Sequence, residues 1–263
     1  MRKKSQKIYF AVIMAFLYLP IIYLIAYSFN DGKTSVWKGF TMKWYTALFN
    51  DAQIMSSLYN TLVVALIASV VATILGTFAA IGIYNFKGGV RSAIQNVSNF
   101  PIINPEIVTG VSLMLLFTFA GTMMGFEMGF WTVLLAHIGF CTPYVILNVT
   151  PRIKQMDPSL YEAAMDLGCS PMQAFFKVVL HELMPGIFSG FLISFTYSLD
   201  DFVITYFTRG SRFQTLPIQI YTMTHQRINP KANALSAILF VVVLGILIVS
   251  NVISSRKDKE AAR

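Results

Sequence analysis

"YEAAMDLGCSPMQAFFKVVLHELMPG", Tyr161 to Gly186, decides the architecture because it does not match what surrounds it. Most of the 263-residue chain reads as hydrocarbon-soluble helix, yet this stretch carries charges, helix stops and restarts. Starting slightly upstream, "DPSLYEAAMDLG" outlines a complete short helix. Asp157 is its N-cap, Pro158 fits the first turn, and Gly168 can take the left-handed conformation that ends it. "SPMQ" opens a second helix at once, with Ser170 as cap, Pro171 at the first helical position and Gln173 completing a capping box. Leu160, Ala163, Ala164 and Leu167 fall at helical spacing and form a small-residue apolar stripe that a partner backbone can approach closely. So short a helix is not stable alone and needs a surface to pack on. The pattern leaves two readings open: an elbow lying on lipid headgroups, or an element held by another protein.

The surroundings are membrane-like. Hydrophobic residues make up 56% of the chain and charged residues only 12%, against roughly 25% charged in soluble domains. A surface facing water on all sides cannot be covered with so few charges. The formal charge of +8 does not argue for a nucleic-acid partner, because the basic residues cluster at span ends. At this length a single transmembrane domain, residues 1–263, is the expectation, with 157–185 as a loop within it. Cys141 and Cys169 form no metal-ligand or CxxC pattern, and no disulfide framework is expected. The apolar run after "MRKKSQK" exceeds the roughly 7–15 residues of a signal-peptide core, so it reads as an uncleaved first span.

Six segments approach the roughly 20 apolar residues needed to cross hydrocarbon. They are Ile8–Phe29, Leu58–Tyr84, a broken one from about Ser92 to Gly121, Phe130–Val149, Gly186–Phe207 and Asn233–Ser254. With the N-terminus inside, thirteen Lys and Arg fall on the cytoplasmic side and seven on the outer side. That bias puts both termini and the Tyr161–Gly186 stretch in the cytoplasm. In the third segment, "NFPIINPEIVTG" places Pro101 and Pro105 where each removes a backbone donor. Such a break is tolerated in a membrane where backbone lines a cavity or is buried in protein, and an ordinary proline kink is the plainer alternative.

Acids within the spans need an explanation. Asp200 and Asp201 stand inside "SFTYSLDDFVITYF", and two carboxylates in lipid would cost on the order of 5–7 kcal/mol on insertion scales. Asp200 lies roughly 21 Å along a helix from Gly186, and adjacent helical positions point about 100° apart. One acid at most faces a central path on that geometry. Carboxylates with the rings of Tyr197, Phe202 and Tyr206 suit an ammonium ion, which sheds water only if acids and aromatic faces replace it. The alternative pairs the acids with Arg209 or Arg212 at the outer interface. Glu106, after Asn104-Pro105, is either ordinary helix-start grammar or a second cation-facing acid.

The order Glu162-Ala163-Ala164, Gly168, Val178 and Leu180 resembles the "EAA" loop of bacterial ABC-importer permeases. The family usually has Pro after that Leu; here His181 follows, with Pro185 four residues later, so the helix is expected to run straight to Pro185. "PEIVTGVSLMLLF", "YEAAMDLG", "FTYSLDDFVIT" and "TLPIQIYTM" extend the likeness along nearly the whole chain, towards the second permease subunit of spermidine/putrescine importers. The resemblance implies an all-α integral membrane protein with six transmembrane helices, in the type I importer permease (MetI-like) fold with cytoplasmic coupling helices. It implies alternating-access import of polyamines across the bacterial inner membrane. Leu160, Glu162, Ala163, Ala164, Leu167 and Gly168 would dock into a cytoplasmic ATPase. Asp200, Asp201, Glu106, Tyr197, Phe202 and Tyr206 would form the substrate path. The implied partners are a second permease, an ATPase dimer that binds the ATP, a periplasmic or lipid-anchored binding protein, and membrane lipid. Amino acids, sulfate or ferric iron are the alternative solutes, and an ATP-independent carrier is the alternative class.

Enzyme signatures fail on inspection. "GKT" at Gly32–Thr34 lacks the phosphate-loop glycine, Tyr27 standing in its place, so the chain is expected to need fuel from a partner and to bind no cofactor itself. "HELMP" has Pro185 where a zinc protease needs its second His. His137, His181 and His225 are scattered, so no metal site is expected. Asn96 and Asn148 open glycosylation sequons on the cytoplasmic side, where they go unused. The outer stretch "RGSRFQTLPIQIYTMTHQRINPKAN" either receives a binding protein or only covers the helix ends.

Overall fold

A computed structural model describes residues 2–32, 36–226 and 230–261. Lys33 and Thr34 of the GKT triplet and residues 227–229 of the outer stretch lie outside them. The described chain is almost wholly helical: α1 (Arg2–Tyr27), α2 (Lys43–Phe49), α3 (Ala52–Asn85), α4 (Gly88–Ile103), α5 (Glu106–Met124), α6 (Phe130–Gln155), α7 (Ser159–Asp166), α8 (Pro171–Ala174), α9 (Leu180–Asp200), α10 (Val203–Thr208), α11 (Leu216–Gln226) and α12 (Pro230–Ala261). Among the described residues, five helical stretches are long and apolar enough to cross a bilayer: Tyr9–Tyr27, Ala52–Asn85, Glu106–Met124, Phe130–Gln155 and Pro171–Asp200. The sixth expected span, Asn233–Ser254, falls within α12.

Two expectations need correcting. The third segment is not one crossing interrupted midway. Pro105 offers no N–H and drives Asn104 to an extended ψ of 136°, so α4 ends and α5 starts afresh, long enough to cross by itself. Nor is Gly186–Phe207 one helix. α9 stops at Asp200, Asp201 is extended at ψ 126°, and α10 begins beyond it. The 100° argument for the two acids therefore does not apply.

The chain packs as two compact units, Met1–Leu58 with Leu216–Leu244, and Tyr59–Thr215 with Gly245–Arg263. In the first, Leu48, Ile54, Leu216, Ala234 and Leu235 form the core. After α1, the Asn30 side chain organises the loop: its Oδ1 accepts from the Gly32 and Lys38 amides, and its Nδ2 donates to the Val36 carbonyl. That pairs both the oxygen and the nitrogen of a buried amide with backbone.

The second unit is built on α6 against α9. Along α9, Gly186, Gly190, Ser194 and Ser198 recur every fourth residue, and all four are buried. A Cβ on Gly190 would stand 3.1 Å from Val145 Cα, and one on Gly186 would stand 2.9 Å from the Asn148 carbonyl. Such small-residue stripes let membrane helices approach until backbones touch, where dispersion replaces a hydrophobic driving force that lipid does not supply. Ser194 Oγ donates to the Cys141 carbonyl at 3.3 Å. Around this seam Ala80, Ile83, Val145, Ile146, Val149, Ile153 and Leu183 close the core.

Candidate functional site

The start of α10 carries the most constrained chemistry. Asp201 Oδ2 accepts from the Thr205 amide and from Thr205 Oγ1, each at 2.7 Å, while Oδ1 accepts from the Ile204 amide at 3.3 Å. Asp201 is thus the cap of α10, its carboxylate on amides that no upstream carbonyl can reach. His137 Nε2 lies 3.3 Å from Asp201 Oδ2 and 2.9 Å from Thr205 Oγ1, and His137 Nδ1 lies 2.6 Å from Ser198 Oγ. Both the histidine and the acid are almost fully enclosed, with 1% and 5% of their side chains exposed. Within this chain Asp201 is therefore enclosed and paired rather than exposed. Its partners are His137 and Thr205 rather than Arg209, whose Nη1 donates to the Phe213 carbonyl.

Asp200, one residue earlier, is exposed at the C-terminal end of α9. It interacts electrostatically with Asp201 and with Glu106, which is exposed in the first turn of α5. Tyr197 and Tyr206 are exposed nearby in sequence, and Phe202 is half-buried. The Tyr144 and Tyr197 rings pack 4.6 Å apart, Phe202 and Tyr206 5.5 Å apart, and Phe140 and Tyr144 6.0 Å apart. Tyr144 also interacts electrostatically with Glu106. Two exposed carboxylates thus share their surroundings with aromatic faces, and the end of α9 adds the partial negative charge of its free carbonyls. Beyond Glu106, Gly110 leaves room for Phe207 of α10: a Cβ there would stand 2.8 Å from the ring.

Sequence reasoning misses His137, Phe140 and Tyr144. Their spacing of three and four puts them on one face of α6, which is a legible signal. Weighed as a metal ligand alone, the histidine shows no role, and the two rings pass for apolar bulk.

The cytoplasm-assigned loop matches its local grammar closely. Asp157 Oδ1 accepts from the Ser159 amide at 2.9 Å, and this bond holds its carboxyl below the usual carboxylate range. At the other end Gly168 has φ +91°, Gly168 N–H donates to Met165 O at 2.9 Å, and Cys169 N–H donates to Ala164 O at 3.1 Å. Those two bonds form a Schellman motif. Ser170 and Gln173 exchange both capping-box bonds. A π-helical turn, Phe175–Val179, then carries the chain into α9 without interruption at His181 or Pro185. The expected stripe divides: Ala164 is 8% exposed and faces inward, whereas Leu160, Ala163 and Leu167 face outward, Leu167 at 87%. Glu162 is also exposed.

Gly168→Ala should cost about 1 kcal/mol at this left-handed position. Hydrogen exchange of the Leu167–Ser170 amides should then rise about fivefold through local opening, with the spans unaffected. Unchanged exchange there would mean the motif does not set the loop's stability.

Known proteins resemble this chain in sequence and in fold. The family model described as "Binding-protein-dependent transport system inner membrane component" matches residues 72–257. The spermidine/putrescine transport system permease protein PotC of Escherichia coli (strain K12) is 35% identical over 252 residues, covering 95% of this chain and 94% of that protein. The putrescine transport system permease protein PotI of the same organism is 37% identical over 254 residues, covering 94% and 90%. Among solved structures, a bacterial ABC transporter involved in the import of the acidic polysaccharide alginate matches at a TM-score of 0.70 with 18% identity, covering 97% of this chain and 96% of that one. The MetNI methionine ABC transporter in an inward-facing conformation matches at 0.63 with 17% identity, covering 82% and 99%. At those identities the structural matches speak to fold alone.

Proposed function

The chain belongs to the family of binding-protein-dependent transport system inner membrane components, and from that membership we propose that it is one permease subunit of an ATP-driven importer whose cargo is a polyamine such as spermidine or putrescine. The observation that carries the substrate is the exposed Asp200, whose carboxylate feels the like charge of Glu106, at the end of a helix bearing Tyr197. A polyammonium ion gives up several hydration shells on entering a membrane. Carboxylates, helix-end carbonyls and ring faces replace them in kind. The curated relatives named for spermidine and putrescine cover the chain almost end to end and support the same choice.

In this reading Asp200, Glu106, Tyr197 and Tyr206 contact the cation. A second permease completes the path, and a soluble binding protein delivers the solute from the outer side. An ATPase dimer in the cytoplasm holds the loop around Leu160–Gly168. ATP-driven closure of that dimer moves the loop, and the spans exchange outward for inward access. Both termini lie in the cytoplasm, as the distribution of Lys and Arg supports.

The test is uptake of labelled spermidine in a strain that has only this system, with putrescine, amino acids, sulfate and ferric iron as competitors. Polyamines alone should compete. Because the binding protein captures the solute first, a lost membrane contact shows in the rate at saturating substrate. Asp200→Asn should lower that rate about 10- to 100-fold, the range for loss of one charge-assisted contact. Full uptake by Asp200→Asn, or competition by sulfate or iron, would sink the polyamine assignment.

A further inference from the structure

We propose that His137 is a positioning residue for the cation path: through Asp201 it fixes the break between α9 and α10 and thereby holds the Asp200 carboxylate in place. The proposal rests on the reading of Asp200 as a cation contact. His137 stands on α6, far from both acids in sequence, and its ring bridges the two sides of the break. Nδ1 reaches Ser198, in the last turn of α9, and Nε2 reaches Thr205, within α10. Asp200 is the end of the first of those helices, and Asp201 starts the second.

The donors and acceptors settle how the ring works. Thr205 Oγ1 spends its proton on Asp201 Oδ2, and a carboxylate only accepts. His137 Nε2 therefore carries a hydrogen, which it directs at Thr205 Oγ1 and Asp201 Oδ2. Without that N–H, the enclosed carboxylate loses its side-chain partner on α6, and the polar tie between the break and that helix is cut. The last turn of α9 would then shift, carrying Asp200 with it, while Thr132 Oγ1, donating to the Thr208 carbonyl at 2.7 Å, still holds the far end of α10 on α6. Cys141 and Ser194 pin α9 one turn earlier, so the loss is confined to the last turn. The titratable and charged groups around Asp201 are thus His137 on α6, Asp200 on α9, Glu106 on α5 through Asp200, and Cys141 on α6.

A double-mutant cycle on the assembled importer in proteoliposomes decides the matter, with spermidine uptake at saturating binding protein as the readout. His137→Ala should lower the rate about tenfold when Asp200 is present. In an Asp200→Asn background the same change should cost less than about twofold, because the carboxylate it positions is gone. His137→Gln should recover most of the rate, since its amide N–H can take the place of Nε2–H, whereas His137→Asn is too short to reach Thr205. Equal losses from His137→Ala in both backgrounds would make the histidine a general fold element and overturn the proposal. If His137→Ala fails to assemble, the Gln and Asn variants carry the test, and equal rates for those two would overturn it. If Asp200→Asn itself leaves uptake intact, the failure lies in the cation reading rather than in the histidine's role.

Discussion

Gly190→Leu should remove transport altogether by preventing the chain from folding. The glycine is buried in α9, and a Cβ at its position would stand 3.1 Å from Val145 Cα and 3.3 Å from Val145 Cγ1. A rotamer change clears a side-chain clash, but here the nearest obstacle is the backbone of α6. The two helices must separate for leucine to fit. Separation would open the seam at Gly186, where the Asn148 carbonyl is just as close, and would pull Ser194 from the Cys141 carbonyl. Overpacking of a tight core costs about 1–3 kcal/mol, and contact with backbone puts this case at the upper end or beyond. Several lost contacts along one seam add to that, against a total stability of only about 5–15 kcal/mol. Gly139 provides the control. It lies on α6 where a Cβ would meet no described atom within 4 Å, and Gly139→Leu should leave membrane levels unchanged. Chain abundance in membranes and thermal aggregation in detergent measure both. Normal abundance of Gly190→Leu would show that α6 and α9 do not meet through this stripe.

The residues differ in how visible their roles are from sequence. Caps, turns and the charge bias act over a few positions, so Asp157, Gly168, Ser170 and Gln173 declare themselves. The stripe Gly186, Gly190, Ser194 and Ser198 is equally plain at a spacing of four, yet it is invisible to a reading that counts only hydrophobicity. The break after Asp200 is harder. Val203 to Thr208 is as apolar as the helix before it, and no proline or glycine marks the end. What stops the helix is a capping carboxylate held by a histidine 64 positions upstream. Capping is local, but the burial that makes it worthwhile at this depth is tertiary. For the same reason the pair of acids looks equivalent in sequence, and only their surroundings separate the exposed Asp200 from the enclosed Asp201.

Leu167→Asp should uncouple the importer while sparing the fold. Leu167 is 87% exposed at the end of α7, an eight-residue helix too short to persist on its own propensity. The inward Ala164 and the Schellman bonds hold α7 on its own loop, and Leu167 takes part in neither through its side chain. In the proposed importer, this exposed leucine on the loop side of the membrane is surface kept for the ATPase. Burying it there is worth about 1.5–3 kcal/mol. Aspartate forfeits that and adds the desolvation of an unpaired charge, which brings the loss to about 3–5 kcal/mol. Docking then weakens at least about 100-fold. Spermidine uptake should fall to background, and ATP hydrolysis should no longer respond to loaded binding protein. Chain abundance and detergent melting should match the unsubstituted protein, because no internal contact has been removed. Leu167→Met, which keeps apolar bulk, should transport nearly normally. Full uptake by Leu167→Asp would mean that the outward face of α7 is not where force enters the membrane helices.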